Sequence, residues 1–172
     1  MPMYLYLGDI TRMETDAIVN AAGTDLRRCP GICDAIFAAA DTEKLERACR
    51  KLGRCRIGQA VATPGRGLPR RSITHVAGPG WYGGEPRERF LLAGCYQNAL
   101  HKAYLCSCRR VAVPLIFSGD CHMPRAASLR VAGAAIADFC QRHPSMEVTL
   151  VLYRQSIYDM AKRILGWEDA PS

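Results

Sequence analysis

The sequence of 172 residues lacks several features that would place it in a special class. No stretch of about 18 apolar residues runs free of charge, so no membrane-spanning helix is expected. No long polar tract, linker, internal repeat or low-complexity segment interrupts it. With 49% apolar residues, that excludes disorder and supports a core without covalent staples. Met1 to Asp9 carry neither a basic region nor a cleavage-type segment, so no secretory leader is expected. The cysteine spacing of a zinc knuckle is missing too: Cys29–Cys33, Cys49–Cys55 and Cys106–Cys108 are irregularly separated.

What is present points inward. Nine cysteines is an odd count, and without an export signal it argues for reduced thiols in a cytoplasmic setting rather than a disulfide framework. Most of them are expected to act as small core residues. The 23 basic and 16 acidic side chains leave a formal charge of +7. That permits an anionic partner (nucleic acid, a nucleotide diphosphate or an acidic protein face) and selects none of them. The basic pairs Arg27-Arg28, Arg70-Arg71 and Arg109-Arg110 are scattered, as on a solvated surface.

Apolar runs alternate with helical periodicity. Strands are expected at Met3–Leu7, Ala17–Asn20, Ala60–Thr63, Ile73–Ala77, Val111–Pro114 and Val148–Tyr153. Helices are expected between them. In one, Ile32, Ala35, Ile36, Ala39 and Ala40 recur at helical spacing. The next is capped by Asp41 or Thr42, carries Leu45, Ala48, Cys49 and Leu52 on one face, and stops at Gly53. A long helix, about Pro86 to Leu105, turns Leu92, Cys95, Ala99 and Ala103 inward. Pro124 opens another over Leu129, Ala132, Ile136 and Phe139, and a closing helix carries Ile157, Met160, Ala161, Ile164 and Leu165. This order predicts one α/β domain over residues 1–167 with a largely parallel sheet, and a frayed tail at 168–172.

In such sheets ligands sit at the carboxyl ends of the strands. That rule singles out Gly8-Asp9-Ile10, Asn20-Ala21-Ala22-Gly23 with the loop to Ile32, Ser118 to Pro124, and Tyr153. The stretch Gly8-Asp9-Ile10-Thr11, followed by Asp16-Ala17-Ile18-Val19-Asn20-Ala21-Ala22, resembles the opening of macrodomains, the ADP-ribose-binding modules. The resemblance continues through Gly58-Gln59-Ala60, Thr63-Pro64-Gly65, Ile73-Thr74-His75-Val76-Ala77-Gly78-Pro79, Cys95-Tyr96 and Ser118-Gly119, and so covers nearly the whole chain.

The resemblance implies a three-layer α/β/α fold with a mixed sheet of about six strands. It implies no cofactor. The partner it implies is ADP-ribose or a related adenine nucleotide, free or attached to protein; no membrane is involved, and the charge leaves nucleic acid open. Asp9 would accept from the adenine amine with Ile10 beside it, and Tyr153 would pack on the base, whose face is apolar. Asn20 and Ala21 would lie on the ligand path. The diphosphate would lie on backbone N–H groups of Arg28 to Ile32, including Gly31 and Ile32, and of Ser118, Gly119, Asp120, Cys121, His122 and Met123.

The chain departs from the pattern of hydrolytic macrodomains in the distal half of the site. Gly23 stands at the second Asn of the motif; Arg28, Cys29 and Pro30 replace glycines; Cys33 replaces the Asp at the helix start. In the second loop, Cys121 and His122 replace an aromatic and a glycine. Pro30 removes an N–H donor, and Arg28 offers a guanidinium in exchange. Three readings remain open. One is a binding module without hydrolysis. Another is an ADP-ribosyl hydrolase using Asp34, His122 or Cys33 in non-standard roles. The last is an interaction protein on the same scaffold. Cys29, Cys33, Cys121 and His122 could converge on zinc, the cysteines could supply a reactive thiol at Cys33 or a disulfide, or the four could be unrelated replacements. His75 reads as a core or strand-end residue, His143 as a helix end, and Trp81 and Tyr82 as pocket wall or plain surface loop.

Overall fold

The computed structural model describes residues 2–65, 67–68, 72–79, 86–116 and 123–171. Among these residues seven strands form one sheet: β1 (Met3–Leu7), β2 (Ala17–Ala22), β3 (Ala60–Pro64), β4 (Ser72–Ala77), β5 (Arg110–Pro114), β6 (Glu147–Leu152) and β7 (Glu168–Asp169). Their spatial order is β3-β4-β2-β5-β6-β1-β7. Every pairing is parallel except the β3–β4 hairpin at one edge. The sheet is therefore mixed and largely parallel, as expected, with one strand more than the six anticipated.

The additional strand corrects the expected frayed tail. Glu168 and Asp169 pair with Tyr4 and Leu5 of β1, and Ala170 N–H donates to the Leu5 carbonyl at 2.9 Å. The free edge of β1 supplies unpaired backbone groups, and the tail satisfies them.

Among the described residues five α-helices cover the sheet: α1 (Ile32–Ala39), α2 (Thr42–Leu52), α3 (Pro86–Leu105), α4 (Arg125–Arg142) and α5 (Gln155–Leu165). Alternation along the strands explains the two cores. Ala17, Val19, Val111, Val113, Val148 and Leu150 face α3, α4 and α5. Ile18, Ala22, Ile73, Ala77 and Ala112 face α1 and α2. Strands covered on both faces carry continuous apolar runs, which accounts for the lack of polar alternation in β2 and β6.

Local signals fix the ends of α2. The Asp41 carboxylate accepts from Lys44 N–H at 3.2 Å, and Gly53 closes the helix at φ +80°. The inner face of α1 differs from expectation. It buries Cys33, Ile36 and Phe37, whereas Ala35 and Ala39 face solvent. Burying one phenyl ring outweighs burying two methyl groups, so the helix turns Phe37 inward. Asp16, at the head of the Asp16-to-Ala22 motif, has a structural role. Its Oδ2 accepts from the N–H groups of Arg109 and Arg110 at 2.8 and 3.0 Å, tying β2 to the start of β5.

Candidate functional site

The chain leaves β2 towards α1 on one face of the sheet and leaves β5 towards α4 on the other. The ligand crevice of such a sheet lies at the carboxyl ends of the central strands, where the connections diverge. β1 and β6 pair through Leu7 and Leu152, so Gly8 and Tyr153 are the first residues beyond adjacent strand ends; Gly8 N–H donates to the Leu152 carbonyl at 2.9 Å. Tyr153 is 81% exposed, the most exposed of the large apolar side chains among the described residues. Its ring is available for contact and contributes nothing to the core. The ring of Tyr6 lies directly against Gly8, in the space a Cβ would need.

Asp9 caps a single 3-10 turn, Ile10–Arg12. Its Oδ1 accepts from Thr11 N–H at 2.9 Å and from the Thr11 hydroxyl at 2.7 Å. Both bonds use one oxygen, which fixes the carboxylate and leaves Oδ2 for a further donor. Ile10 is buried in the same cluster as Cys33 and Phe37, so the turn that carries Asp9 is seated against α1.

The loop before α1 gathers most of the remaining candidates. Gly31 is the residue preceding the helix, at φ +87° and ψ −140°, a conformation open almost only to glycine. No described residue lies within 4 Å of the position its Cβ would take, so among the described residues the backbone here is open. Ile32 is half-buried against the α1-side core. Arg28 turns to Asp34, with Nε 2.6 Å from Oδ1 in a surface ion pair. The carboxylate considered as a base is therefore paired with the guanidinium considered as a phosphate ligand.

Cys33 is 1% exposed, and its sulfur is a hub. It accepts from Cys29 N–H at 3.4 Å and from Asn20 Nδ2 at 3.7 Å, and lies 3.7 Å from the Arg27 carbonyl, to which the thiol can donate. Burial, together with the neighbouring Cys33 thiol, pushes Cys29 up to about 12, so Cys29 is a neutral thiol at physiological pH. Its sulfur also meets the backbone of Gly23. Gly23, Cys29 and Cys33 thus meet, although 10 residues separate Gly23 from Cys33 in sequence.

Asn20 is buried rather than displayed in the crevice. Its Nδ2 lies 3.0 Å from His75 Nδ1. Ala21, on the opposite face of β2, packs against the α3-side core. The sequence pattern puts His75 in a strand and points to no partner for it. The register that sets it beside Asn20 depends on β4 lying next to β2, which no local pattern reports. His143 does end α4. Ser118, Gly119, Asp120, Cys121 and His122 lie outside the described residues, as do Trp81 and Tyr82. Two of the four donors considered for zinc therefore fall there, and among the described residues no group of three metal-ligating side chains occurs. A separate open groove of about 540 Å³ lies between α3 and α4, around Phe90 and Val131, on the other face of the sheet from α1. It includes none of these residues.

The sequence model of the Macro domain matches residues 19–132. This chain belongs to the macrodomain family. Its relatives include a macro domain-containing protein of Mesorhizobium japonicum, 42% identical over 133 residues, covering 77% of this chain and 75% of that protein. An O-acetyl-ADP-ribose deacetylase of Escherichia fergusonii is 37% identical over 168 residues, covering 95% and 94%. Among solved structures, the Oceanobacillus iheyensis macrodomain with ADP superposes with a TM-score of 0.88 at 31% identity, over 94% of this chain and 88% of that one. The Trypanosoma brucei macrodomain in complex with ADP-ribose gives 0.87 at 26% identity, over 96% and 69%. The macrodomain fold expected from the opening motif is thus the fold observed. No helix of the described residues is long and apolar enough to cross a membrane.

Proposed function

We propose that this macrodomain binds ADP-ribose or a related adenine nucleotide, free or carried on a modified protein, and hydrolyses it poorly. The observation that carries the reading is the pairing at the ends of β1 and β6. Asp9 is held by Thr11 through one oxygen, with the other left for a donor, and an exposed Tyr153 follows the neighbouring strand. An anchored acceptor beside a free aromatic face suits a flat base with an exocyclic amine. The open backbone at Gly31, ahead of α1, suits an anion, because a helix start presents unpaired N–H groups.

Poor hydrolysis follows from the groups around Gly23. Gly23 has no side chain to hold a water, Cys29 is a neutral thiol, the Cys33 sulfur is buried, and Asp34 is an exposed carboxylate turned to Arg28 on the surface. A general base must reach the attacking water with its lone pair free. The relatives named O-acetyl-ADP-ribose deacetylase favour a second reading, in which the chain removes an acyl or ADP-ribosyl group by another route. Titration calorimetry with ADP-ribose, AMP and ribose 5-phosphate tests the binding reading: ADP-ribose and AMP should bind and ribose 5-phosphate should not. Absence of binding at millimolar ligand refutes it. Rapid turnover of O-acetyl-ADP-ribose by the same preparation favours the second reading.

A further inference from the structure

The contact between Asn20 and Cys33 is the inner end of a longer chain of buried polar groups. Thr63 on β3 lies 2.9 Å from His75 Nε2 through its hydroxyl; His75 Nδ1 lies 3.0 Å from Asn20 Nδ2; Asn20 Nδ2 lies 3.7 Å from the Cys33 sulfur. Thr63, His75, Asn20 and Cys33 are each at most 4% exposed. Three adjacent strands and one helix start are thereby connected.

With Asn20 Nδ2 turned to the imidazole, one tautomer of His75 satisfies both of its contacts. An amide nitrogen only donates, so His75 Nδ1 must accept, and Nε2–H must donate to the Thr63 hydroxyl. Burial holds the imidazole down to about 4, so it stays neutral and in that tautomer at physiological pH. Asn20 spends its two N–H groups on His75 and Cys33, while its Oδ1 has no hydrogen-bond partner among the described residues. The amide is thus set by what it holds rather than by its own full satisfaction. Beyond Asn20, the Cys33 sulfur meets the N–H of Cys29 and the carbonyl of Arg27, so the chain ends on the backbone of the loop whose next turn is Gly31. Apolar side chains would fill the same volume with no polar group to desolvate. The polar chain needs a reason, and its end-point supplies one.

We propose that His75 is a positioning residue: through Asn20 it seats Cys33, and with it the backbone of residues 27–31 that receives the ligand's diphosphate. This rests on the reading above that the α1 loop binds that diphosphate. His75 touches no ligand, so its effect falls on the phosphate end of the site. Asp9 and Tyr153, at the ends of β1 and β6, lie outside the chain of contacts.

The test compares wild type with His75→Phe, His75→Asn and Thr63→Val in two measurements. Hydrogen exchange of the ligand-free proteins should show faster exchange across residues 27–33 in His75→Phe, with α4 unchanged. His75→Asn, whose amide oxygen can accept from Asn20, should restore much of the protection. Thr63→Val, a near-isosteric change in an edge strand, should give a smaller change in the same segment, and carries the test if His75→Phe does not fold. Calorimetry should then show about tenfold weaker ADP-ribose binding for His75→Phe, with AMP affinity changed by less than about twofold. Unaltered exchange at 27–33 overturns the proposal whatever the ligand results are. Equal losses for ADP-ribose and AMP reduce His75 to a general packing residue and also overturn it. If exchange responds as stated but wild type binds AMP as tightly as ADP-ribose, the diphosphate reading of the loop has failed, and the ligand-positioning role falls with it.

Discussion

Acidification should weaken this fold through one side chain in particular. His75 is 1% exposed, and burial lowers its pKa from 6.5 to about 4. The direction follows from linkage. Between pH 6.5 and pH 4 the unfolded chain binds a proton that the folded chain refuses, so stability is complete above about pH 6.5 and is lost as pH falls. Each pH unit in that window favours unfolding by about 1.4 kcal/mol. The loss is therefore about 2 kcal/mol at pH 5 and levels off near 3 kcal/mol once the folded histidine also protonates. Other groups titrate over the same range, and a non-titrating variant separates them. Urea unfolding of wild type and His75→Asn at pH 8 and pH 5 should show the wild-type stability falling by about 2 kcal/mol more than that of the variant. Parallel losses would refute the reasoning, since they would mean that the buried imidazole protonates as easily folded as unfolded.

Three further outcomes are expected. Asp9→Asn keeps an oxygen for Thr11 but removes the charge and places an N–H where the base amine would donate; calorimetry should show ADP-ribose binding weakened by about 1–3 kcal/mol. Gly31→Ala should destabilise the protein by about 1–3 kcal/mol in urea unfolding, because alanine is strained at φ +87°. Since its Cβ meets nothing, Gly31→Ser should cost about the same; a much larger loss for serine would reveal a contact at this position. Hydrolysis of mono-ADP-ribosylated protein should be slow, and turnover matching that of an active macrodomain hydrolase would return Asp34 to consideration as base, with Asp34→Ala the first variant to assay.

Local chemistry in the sequence determined the elements. The apolar periodicities, the cap at Asp41, the stop at Gly53 and the continuous strand runs act over a few residues, and they gave the α/β order directly. The motif around Asp9 and Asp16 carried the family, and the sheet-end rule pointed to Asp9 and Tyr153. What the sequence could not decide depends on which strands become neighbours. β2 lies between β4 and β5, far from both in the chain, and only that placement sets His75 beside Asn20 and Asp16 beside Arg109 and Arg110. Two candidate functional groups, Arg28 and Asp34, come together as a surface ion pair once the loop folds back on α1. The tail becomes β7 because the edge of β1 is open, a fact about the sheet and not about residues 168–170. Phe37 takes the inner face of α1 because the core beneath it has room for a ring, and room is a property of the packed structure alone.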